Sequence, residues 1–235
     1  MENGYGQFCP IAKAAELFAT RWTPLILREL LSGVTAFNDI HKGVPLMSRA
    51  LLVERLRQLE SEGLIERRTR EQARGHDYIL TQAGEDFRPL VAGLGKWGMA
   101  HGRSRITEKD LDPGLLMWAF HIRAGRSQMP ERRIVVRFEF AGVPASRTKF
   151  KVMWLVLDRG GADVCAKDPG FETELVARGP IAVFVQVFVG NMTWTAATSA
   201  GISVEGDREM ARQLPVWLRL DKQLGSDLPF VHHAA

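Results

Sequence analysis

A stripe of leucines between Ser48 and Gly63 is the feature that most constrains the fold of this sequence. Leu52, Leu56 and Leu59 recur at intervals of four and three residues, the spacing that places side chains on one face of an α-helix. Ser48 is a good cap for the start of such a helix, and Gly63 for its end. The stripe therefore predicts an amphipathic helix that is packed along its leucine face and exposed on the other.

The segments on either side of this helix predict a winged helix-turn-helix. Apolar residues at helical spacing over residues 10–31 predict two helices, and residues 36–41 predict a short third one. After the leucine helix, residues 64–68 and 78–80 read as short strands joined by a polar, glycine-containing segment. In a winged helix-turn-helix, this order of elements places the second helix of the motif in the major groove of DNA.

The face of the predicted helix opposite its leucines carries candidate base-reading residues. A helical wheel turns Ala50, Val53, Glu54 and Arg57 outward, and it leaves Arg49 near the N-terminal end, which normally meets base edges. Arginine at either position can approach a phosphate or a guanine. We therefore expect this face to contact double-stranded DNA.

Arginine is also concentrated in the predicted hairpin, which carries Arg67, Arg68, Arg70 and Arg74. Arginine on a wing can pair with phosphate or enter a narrow minor groove. The alternative is that these arginines only solvate a surface, because glutamates are interleaved with them. The net charge of +4 and the pI near 9.3 permit a polyanionic partner without requiring one. Charge alone leaves both interpretations open.

Several segments of the first half keep the order and spacing of a known family. They are residues 9–11, 21–30, 37–40, 54–60, 63–67 and 78–81, together with Ser48 and Leu52. On these segments the chain resembles the HxlR family of bacterial regulators over residues 9–97. The resemblance implies a transcriptional regulator, by default a repressor, that binds DNA as a homodimer. It also implies that the N-terminal helix and the helix over residues 83–97 form the subunit interface, with half-sites ~34 Å apart.

The sequence departs from the HxlR pattern directly after the capping serine. Family members usually carry proline, then a basic residue, and a small hydroxyl residue three positions further on, where this chain has Arg49, Ala50 and Val53. Ala50 and Val53 cannot hydrogen-bond to bases but can contact thymine methyl groups, so a different operator is expected. The predicted DNA-binding residues are Ser48, Arg49, Ala50, Val53, Arg57, Arg67, Arg68, Arg70 and Arg74.

The second half of the chain has mixed patterns, which makes the whole chain α+β. A helix over residues 81–97 ends the first half, and further helices are predicted over residues 115–122 and 181–189 and from Asp207 onward. Strand-like runs occupy residues 134–140, 150–157, 171–176 and 202–204. The small, polar segment over residues 98–107 marks a boundary. We therefore expect a winged helix-turn-helix domain for DNA binding and dimerisation over residues 1–105 and an α+β domain over residues 106–235.

Three segments of the second half, residues 188–190, 200–207 and 214–218, resemble a sterol carrier protein type 2-like domain. The resemblance implies a fold whose relatives hold lipids or other apolar molecules in an internal tunnel. The helix predicted over residues 181–189 is apolar nearly all round, so it either lines a pocket for an apolar small-molecule effector or is buried on both faces. The predicted ligand-binding residues are Trp154, Phe184, Val185, Phe188 and Trp217.

No constellation of residues predicts catalysis, a metal site or a cofactor. The histidines are scattered, and the cysteines, Cys9 and Cys165, have no metal-ligand spacing. The pattern G-x-G-x-x-G over residues 93–98 lies at the end of a predicted helix, which its glycines are expected to terminate, rather than after a strand. We therefore predict that the protein is not an enzyme and has no cofactor.

Two alternative functions remain open for the chain: oxidant sensing and lipid handling. Cys9 directly precedes the first predicted helix, where some HxlR-like regulators carry a sensor of oxidants or electrophiles, although buried packing is the commoner role of such a residue. The chain could instead handle lipids and use its winged helix for protein interaction. The sequence shows no leader-like start and no run of roughly twenty apolar residues. A cytoplasmic protein that does not enter membranes is therefore expected.

Overall fold

A computed structural model of the 235-residue chain describes residues 4–70, 75–102, 105–124 and 129–220. Contacts within the chain divide it into two compact units, with the division between Leu94 and Gly95. Helices dominate the first unit, and a mixed sheet with helices forms the second. This confirms the predicted α+β class, whereas the domain bounds 1–105 and 106–235 stay predictions.

The first unit contains the predicted helix-turn-helix and hairpin. Its elements are α1 (Pro10–Phe18), α2 (Thr23–Leu31), α3 (Phe37–Gly43), α4 (Arg49–Ser61), β1 (Ile65–Thr69), β2 (His76–Leu80) and α5 (Gln82–Glu85). Helix α6 (Arg88–His101) starts in this unit. Strands β1 and β2 pair antiparallel, and this hairpin is the wing.

Helix α4 forms where the leucine stripe predicts it. Ser48 Oγ accepts a hydrogen bond at 3.2 Å from a backbone N–H in the first turn, which satisfies one of the donors that a helix start leaves open. Gly63 follows the helix with a φ of 72°, a left-handed conformation that glycine adopts without a Cβ clash. Leu52, Leu56 and Leu59 are all buried, as predicted.

A buried ion pair stabilises the end of α3. Glu29 of α2 is only 3% exposed, and its carboxylate accepts a hydrogen bond from Arg28 Nε at 2.7 Å. Arg28 Nη2 also donates to the carbonyl oxygen of Gly43 at 2.8 Å. A side chain at Gly43 would overlap the Glu29 carboxylate. Because a buried charge is costly unless it is paired, these contacts hold α2 against the turn that precedes α4.

The second unit is built on a sheet with both parallel and antiparallel pairs. Its strands are β3 (Ile134–Ala141), β4 (Val152–Asp158), β5 (Gly161–Cys165), β6 (Leu175–Pro180) and β7 (Ser203–Gly206), and its helices are α7 (Pro113–Arg123), α8 (Ile181–Phe188), α9 (Trp194–Ser199) and α10 (Arg208–Trp217). The strand order is β5-β4-β3-β6-β7. Only β3 and β6 are parallel neighbours among the described strands.

Aromatic rings fill the core on one face of this sheet. The ring of Phe138 on β3 lies 5.7 Å from that of Phe120 on α7 and 6.0 Å from that of Phe184 on α8, measured between centroids. The alternate β3 residues Arg137 and Glu139 point to the opposite face, because successive side chains of a strand alternate. One face of the sheet is therefore apolar core and the other carries ion pairs.

The structure corrects two strand predictions in the second unit. The strand predicted over residues 171–176 is wrong, because β6 begins at Leu175, and Phe171 is exposed with the Arg133 guanidinium 4.2 Å from its ring centroid. The strand predicted from Phe150 begins at Val152, because a 3-10 helix occupies the preceding residues. The sequence pattern does not predict β5 or α9, since both are short and lack a clear apolar period.

The sequence predicts that the glycines of the G-x-G-x-x-G segment terminate their helix, and this prediction is wrong. Helix α6 continues through residues 93–98 to His101. Each interior glycine costs roughly 0.5–1 kcal/mol relative to alanine, a cost that this helix tolerates. Since the segment lies inside a helix, it does not form the strand-to-helix turn of a dinucleotide site.

Candidate nucleic-acid interface

The turn between α3 and α4 is held by backbone hydrogen bonds and buried apolar side chains. The N–H of Val44 donates to the His41 carbonyl at 3.1 Å, and the N–H of Met47 donates to the Val44 carbonyl at 2.9 Å. The Nε2 atom of His41 lies 2.9 Å from the carbonyl oxygen of Met47. Val44 and Met47 are both buried. These contacts fix the direction in which α4 leaves α3.

The face of α4 opposite its leucines is open to solvent. Ala50, Glu54 and Arg57 are exposed, as the helical wheel predicts, and Val53 is half-buried. Ser48 is exposed at the start of the helix. In proteins of this architecture, the corresponding helix face lies in the major groove.

Arg49 begins α4 and contacts the first turn of α3. Its Nη2 donates a hydrogen bond to Asn38 Oδ1 at 2.5 Å. Its Cζ lies 5.0 Å from the centroid of the Phe37 ring, within the range of a cation–π contact. Helix α3 therefore holds the guanidinium of a residue that belongs to α4.

Asp77 stabilises the wing near the segment that connects its two strands. Its Oδ1 accepts hydrogen bonds from Arg70 Nε at 2.9 Å, Arg70 Nη2 at 2.7 Å and Thr35 Oγ1 at 2.9 Å. The hydrogen bonds from Arg70 lower the pKa of Asp77 below its ordinary value; burial opposes this effect and the Thr35 hydrogen bond adds to it. Because Thr35 precedes α3, the same carboxylate joins the wing to the helix-turn-helix.

The other wing arginines differ in their partners. Arg68 forms an ion pair with Glu66 at 2.8 Å, and Arg67 lies opposite Tyr78 in the strand register. Arg67 and Arg68 are both exposed. Arg74 lies outside the described residues. Within the described ranges, no ion pair involves Arg67.

Tyr78 is a half-buried residue of the wing strand β2. Burial raises the pKa of its phenol. The positive charges of Arg67 and Arg57 oppose this rise, and the negative charge of Glu60 adds to it. Arg57 of α4 and Arg67 of β1 thus act electrostatically on the same side chain. Charges of both signs from the helix and the wing therefore act on this tyrosine.

Comparison with known proteins decides the family of the chain. The HxlR-like helix-turn-helix family matches residues 17–105. The chain is 33% identical over 93 residues to the uncharacterized HTH-type transcriptional regulator YvaP of Bacillus subtilis, a match that covers 39% of this chain and 86% of that protein. The chain belongs to the HxlR-like helix-turn-helix family.

Further proteins are similar to this HxlR-like chain. An uncharacterized HTH-type transcriptional regulator of Synechocystis sp. is 33% identical over 94 residues, covering 40% of this chain and 70% of that protein. The solved structure of the redox regulator HypR in its reduced form is 21% identical, with a TM-score of 0.38 over 41% of this chain and 96% of that chain. The UbiJ-SCP2 ubiquinone synthesis protein is 20% identical, with a TM-score of 0.31 over 58% of this chain and 99% of that chain.

The residues predicted to bind an apolar ligand in the HxlR-like chain do not all lie together. Phe184, Val185 and Phe188 of α8 and Trp217 of α10 belong to the core on one face of the sheet. Trp154 of β4 lies on the other face, because it alternates with core residues of its strand. The structure therefore groups the first four and separates Trp154 from them. Ligand binding itself stays a prediction.

Apolar side chains are exposed on the two helices that the HxlR resemblance assigns to the subunit interface. Ile11 of α1 is exposed, as are Leu90, Leu94 and Trp97 of α6. The three α6 residues recur at four- and three-residue intervals and so share one face of the helix. Contiguous exposed apolar surface of this kind is typical of a protein-binding site.

Cys9 is a free, half-buried thiol that directly precedes α1. In the part of the chain that the structure describes, no group of His, Cys, Asp or Glu side chains is arranged to hold a metal ion. Among the same residues, no helix combines the length and the apolarity needed to span a bilayer. Oxidant sensing by Cys9 stays a prediction.

Sequence reasoning missed four residues that shape this HxlR-like interface: Thr35, Phe37, Asn38 and Asp77. Asp77 carries a signal, since a carboxylate at the end of the polar hairpin segment can reach an arginine across the two strands. Phe37 and Asn38 carry none, because their contacts with Arg49 cross a turn whose geometry the sequence pattern does not specify. A residue-by-residue wheel of α4 cannot show contacts made by another helix.

The lowered pKa of Asp77 predicts a pH dependence of stability. Because the folded-state pKa lies below the unfolded value of about 3.9, the Arg70 contact stabilises the fold above that pH and is lost as the pH falls through the folded-state pKa. The unfolding temperature of the unaltered protein should therefore fall more steeply below about pH 4 than that of Asp77→Asn. Thermal melts followed by circular dichroism between pH 7 and 3 check this.

Glu54→Gln is the control for this measurement, because it removes an exposed carboxylate of α4. Its unfolding temperature should follow that of the unaltered protein across the acid range. Parallel curves for the unaltered protein and Asp77→Asn would show that the Arg70 contact does not contribute to stability.

Proposed function

We propose that this chain is a transcriptional regulator that binds double-stranded DNA as a homodimer. The observation that carries the proposal is the exposed face of α4, where Arg49 and Arg57 stand on a helix whose leucine face is buried. Arg67 adds positive charge on the neighbouring wing. A DNA-binding regulator of this kind acts where the chromosome lies, so a cytoplasmic location is part of the proposal.

The proposal divides the interface between base reading and backbone contact. Arg49 and Arg57 approach base edges, where an arginine donates to O6 and N7 of guanine. Ala50 and Val53 contact thymine methyl groups, since neither side chain forms hydrogen bonds. Arg67 on the wing contacts phosphate, which sets position and carries no direct sequence information.

Arg68, Arg70 and Arg74 belong to the same proposed phosphate-contacting surface. Arg70 also shapes the wing through its ion pair with Asp77, so its removal changes both charge and structure. Arg68 forms an ion pair with Glu66, which offsets part of its charge. Arg67 is therefore the residue whose substitution tests phosphate contact with the least change to the wing.

Arg67→Ala should weaken binding to every duplex sequence, because a phosphate contact is lost, and it should make the slope of log affinity against log salt less negative by about 0.9. Arg57→Ala should weaken binding and also change the preferred bases, because arginine on the groove-facing helix contacts base edges. Fluorescence anisotropy titrations of a selected duplex and an unrelated duplex, repeated over a range of salt concentrations, measure both effects.

Arg159→Ala is the matched control, because it removes the same charge from an exposed arginine of the second unit, which pairs with Glu131 at 2.8 Å. Its salt slope should equal that of the unaltered protein. A slope for Arg67→Ala that is indistinguishable from both would contradict the proposed role of the wing.

The homodimer is proposed from the exposed apolar residues of α1 and α6. Leu90 and Leu94, each 49% exposed in the single chain, become buried between subunits. Since burial of apolar surface contributes about 25 cal/mol per Å², a stripe of such residues on two helices favours association. A second subunit also gives each DNA-reading helix its own half-site.

Leu90→Ser combined with Leu94→Ser should convert the dimer to a monomer at micromolar concentration, because two apolar contacts are lost in each subunit. Size-exclusion chromatography with light scattering measures the mass. Leu46→Ser is the control, since Leu46 is 69% exposed but lies in the turn before α4, and its variant should remain a dimer. A double variant that keeps the dimer mass rules out this interface.

Repression and control by an apolar effector are also part of the proposal. Repression requires only that the protein occupies a promoter. For the effector, the supporting observation is α8, which packs Phe184 into the core and also places Val185 and Phe188 against it, more apolar surface than one stripe supplies. An effector changes DNA affinity only when it binds two states of the protein unequally.

In a panel of fatty acyl, sterol and aromatic compounds, at least one should raise the unfolding temperature of the protein. The same compound should change operator affinity several-fold, as is typical of coupled sites. Phe188→Ala should reduce both effects, whereas Trp154→Ala, on the other face of the sheet, should not. Thermal-shift and anisotropy measurements check this. A whole panel without effect on either quantity would exclude this part of the proposal.

A further inference from the structure

Arg49 is held by side chains that do not belong to its own helix. Asn38, on the first turn of α3, accepts a hydrogen bond from Arg49 Nη2 at 2.5 Å. Because the guanidinium has no acceptor, the Asn38 amide must present its oxygen here. The ring of Phe37, one residue earlier, lies 5.0 Å from Arg49 Cζ. Two different contacts thus restrict one guanidinium.

The partners of Arg49 are neutral, which distinguishes it from Arg68 and Arg70 of the wing. Arg70 and Arg68 contact carboxylates, which offset their charge. An amide oxygen and an aromatic ring orient Arg49 and leave its positive charge in place. A charge that is oriented but not neutralised is suited to bind a further acceptor.

The remaining donors of Arg49 match a guanine edge. A guanidinium carries five N–H donors in a rigid plane, and Asn38 uses one of them on Nη2. Those that remain can donate in parallel to two acceptors, as guanine O6 and N7 require. Since α3 has already restricted the side chain, Arg49 loses less conformational freedom when it binds than a free arginine does.

We propose that Phe37 and Asn38 are positioning residues that orient Arg49 toward a guanine, so that base preference at one position of each half-site depends on α3 as well as on α4. This inference rests on the proposed DNA-binding function. It goes beyond that function by assigning specificity to residues that do not lie on the base-reading helix.

The test measures base discrimination by the full chain and its variants. Duplexes selected by the unaltered protein are compared with duplexes that differ by a single G·C to A·T change, and the ratio of their Kd values is the discrimination. Arg49→Lys keeps the charge without the planar fork and should reduce the ratio at one position by about 5-fold or more. Asn38→Ala should reduce it at the same position by about 3-fold or more.

A variant and a double variant separate positioning from a structural role. Asn38→Asp can still accept from Arg49 and so keeps its orientation, but its carboxylate offsets the charge of the guanidinium. It should therefore retain more of the base discrimination than Asn38→Ala while lowering affinity for all duplexes. Adding Asn38→Ala to Arg49→Ala should cause no further loss of discrimination. Asn38 is exposed, so the unfolding temperature of Asn38→Ala should stay within a degree or so of the unaltered protein.

The outcomes distinguish this inference from the function on which it rests. Specific DNA binding with unchanged discrimination in Asn38→Ala and Arg49→Lys overturns the positioning role alone. A uniform loss of affinity for all duplexes in both variants does the same, since it assigns Arg49 to phosphate. No binding of any duplex by the unaltered protein overturns the proposed function and this inference together.

Discussion

The burial of Leu52, Leu56 and Leu59 decides what the rest of the first unit can do. These three side chains fix the rotation of α4 about its axis, so that Arg57 and the residues beside it face solvent. Turning the helix by a quarter of a turn would expose leucine and bury arginine, a combination that costs free energy twice. Every contact proposed for DNA depends on this orientation.

The arginines of the first unit differ in whether a carboxylate offsets their charge. Arg28 is tied to the buried Glu29, and Arg70 to Asp77, and both pairs hold a turn or hairpin in place. Arg49 is oriented by neutral groups. The carboxylates of Glu29 and Asp77 therefore shape the scaffold, whereas no carboxylate offsets Arg49, whose positive charge attracts a polyanion.

The sequence predicts the elements of the first unit well because each rests on a strong local signal. Pro24 lies in the first turn of α2, Ser48 caps α4, and the leucine period matches the helix that forms. The prediction fails where tertiary contacts replace local signals. The strand that the pattern places at Phe171 begins at Leu175, because the Phe171 ring packs against Arg133 on the surface.

The candidate site shows the same limit at the level of side chains. A helical wheel identifies Arg49 and Arg57 as outward-facing, since that depends only on the helix period. It does not show that Asn38 orients Arg49, because this contact depends on the angle at which two helices meet. Arg70 is recognisable as basic from the sequence, but its structural role in the wing becomes visible only from its contact with Asp77.

Amide hydrogen exchange of the full chain, with and without a selected duplex, measures directly whether α4 and the wing bind DNA. The duplex should slow exchange in α4 and in the two strands of the wing, with little change on the buried side of the first unit. Protection confined to the second unit, or none in α4 and the wing despite saturating duplex, would contradict it.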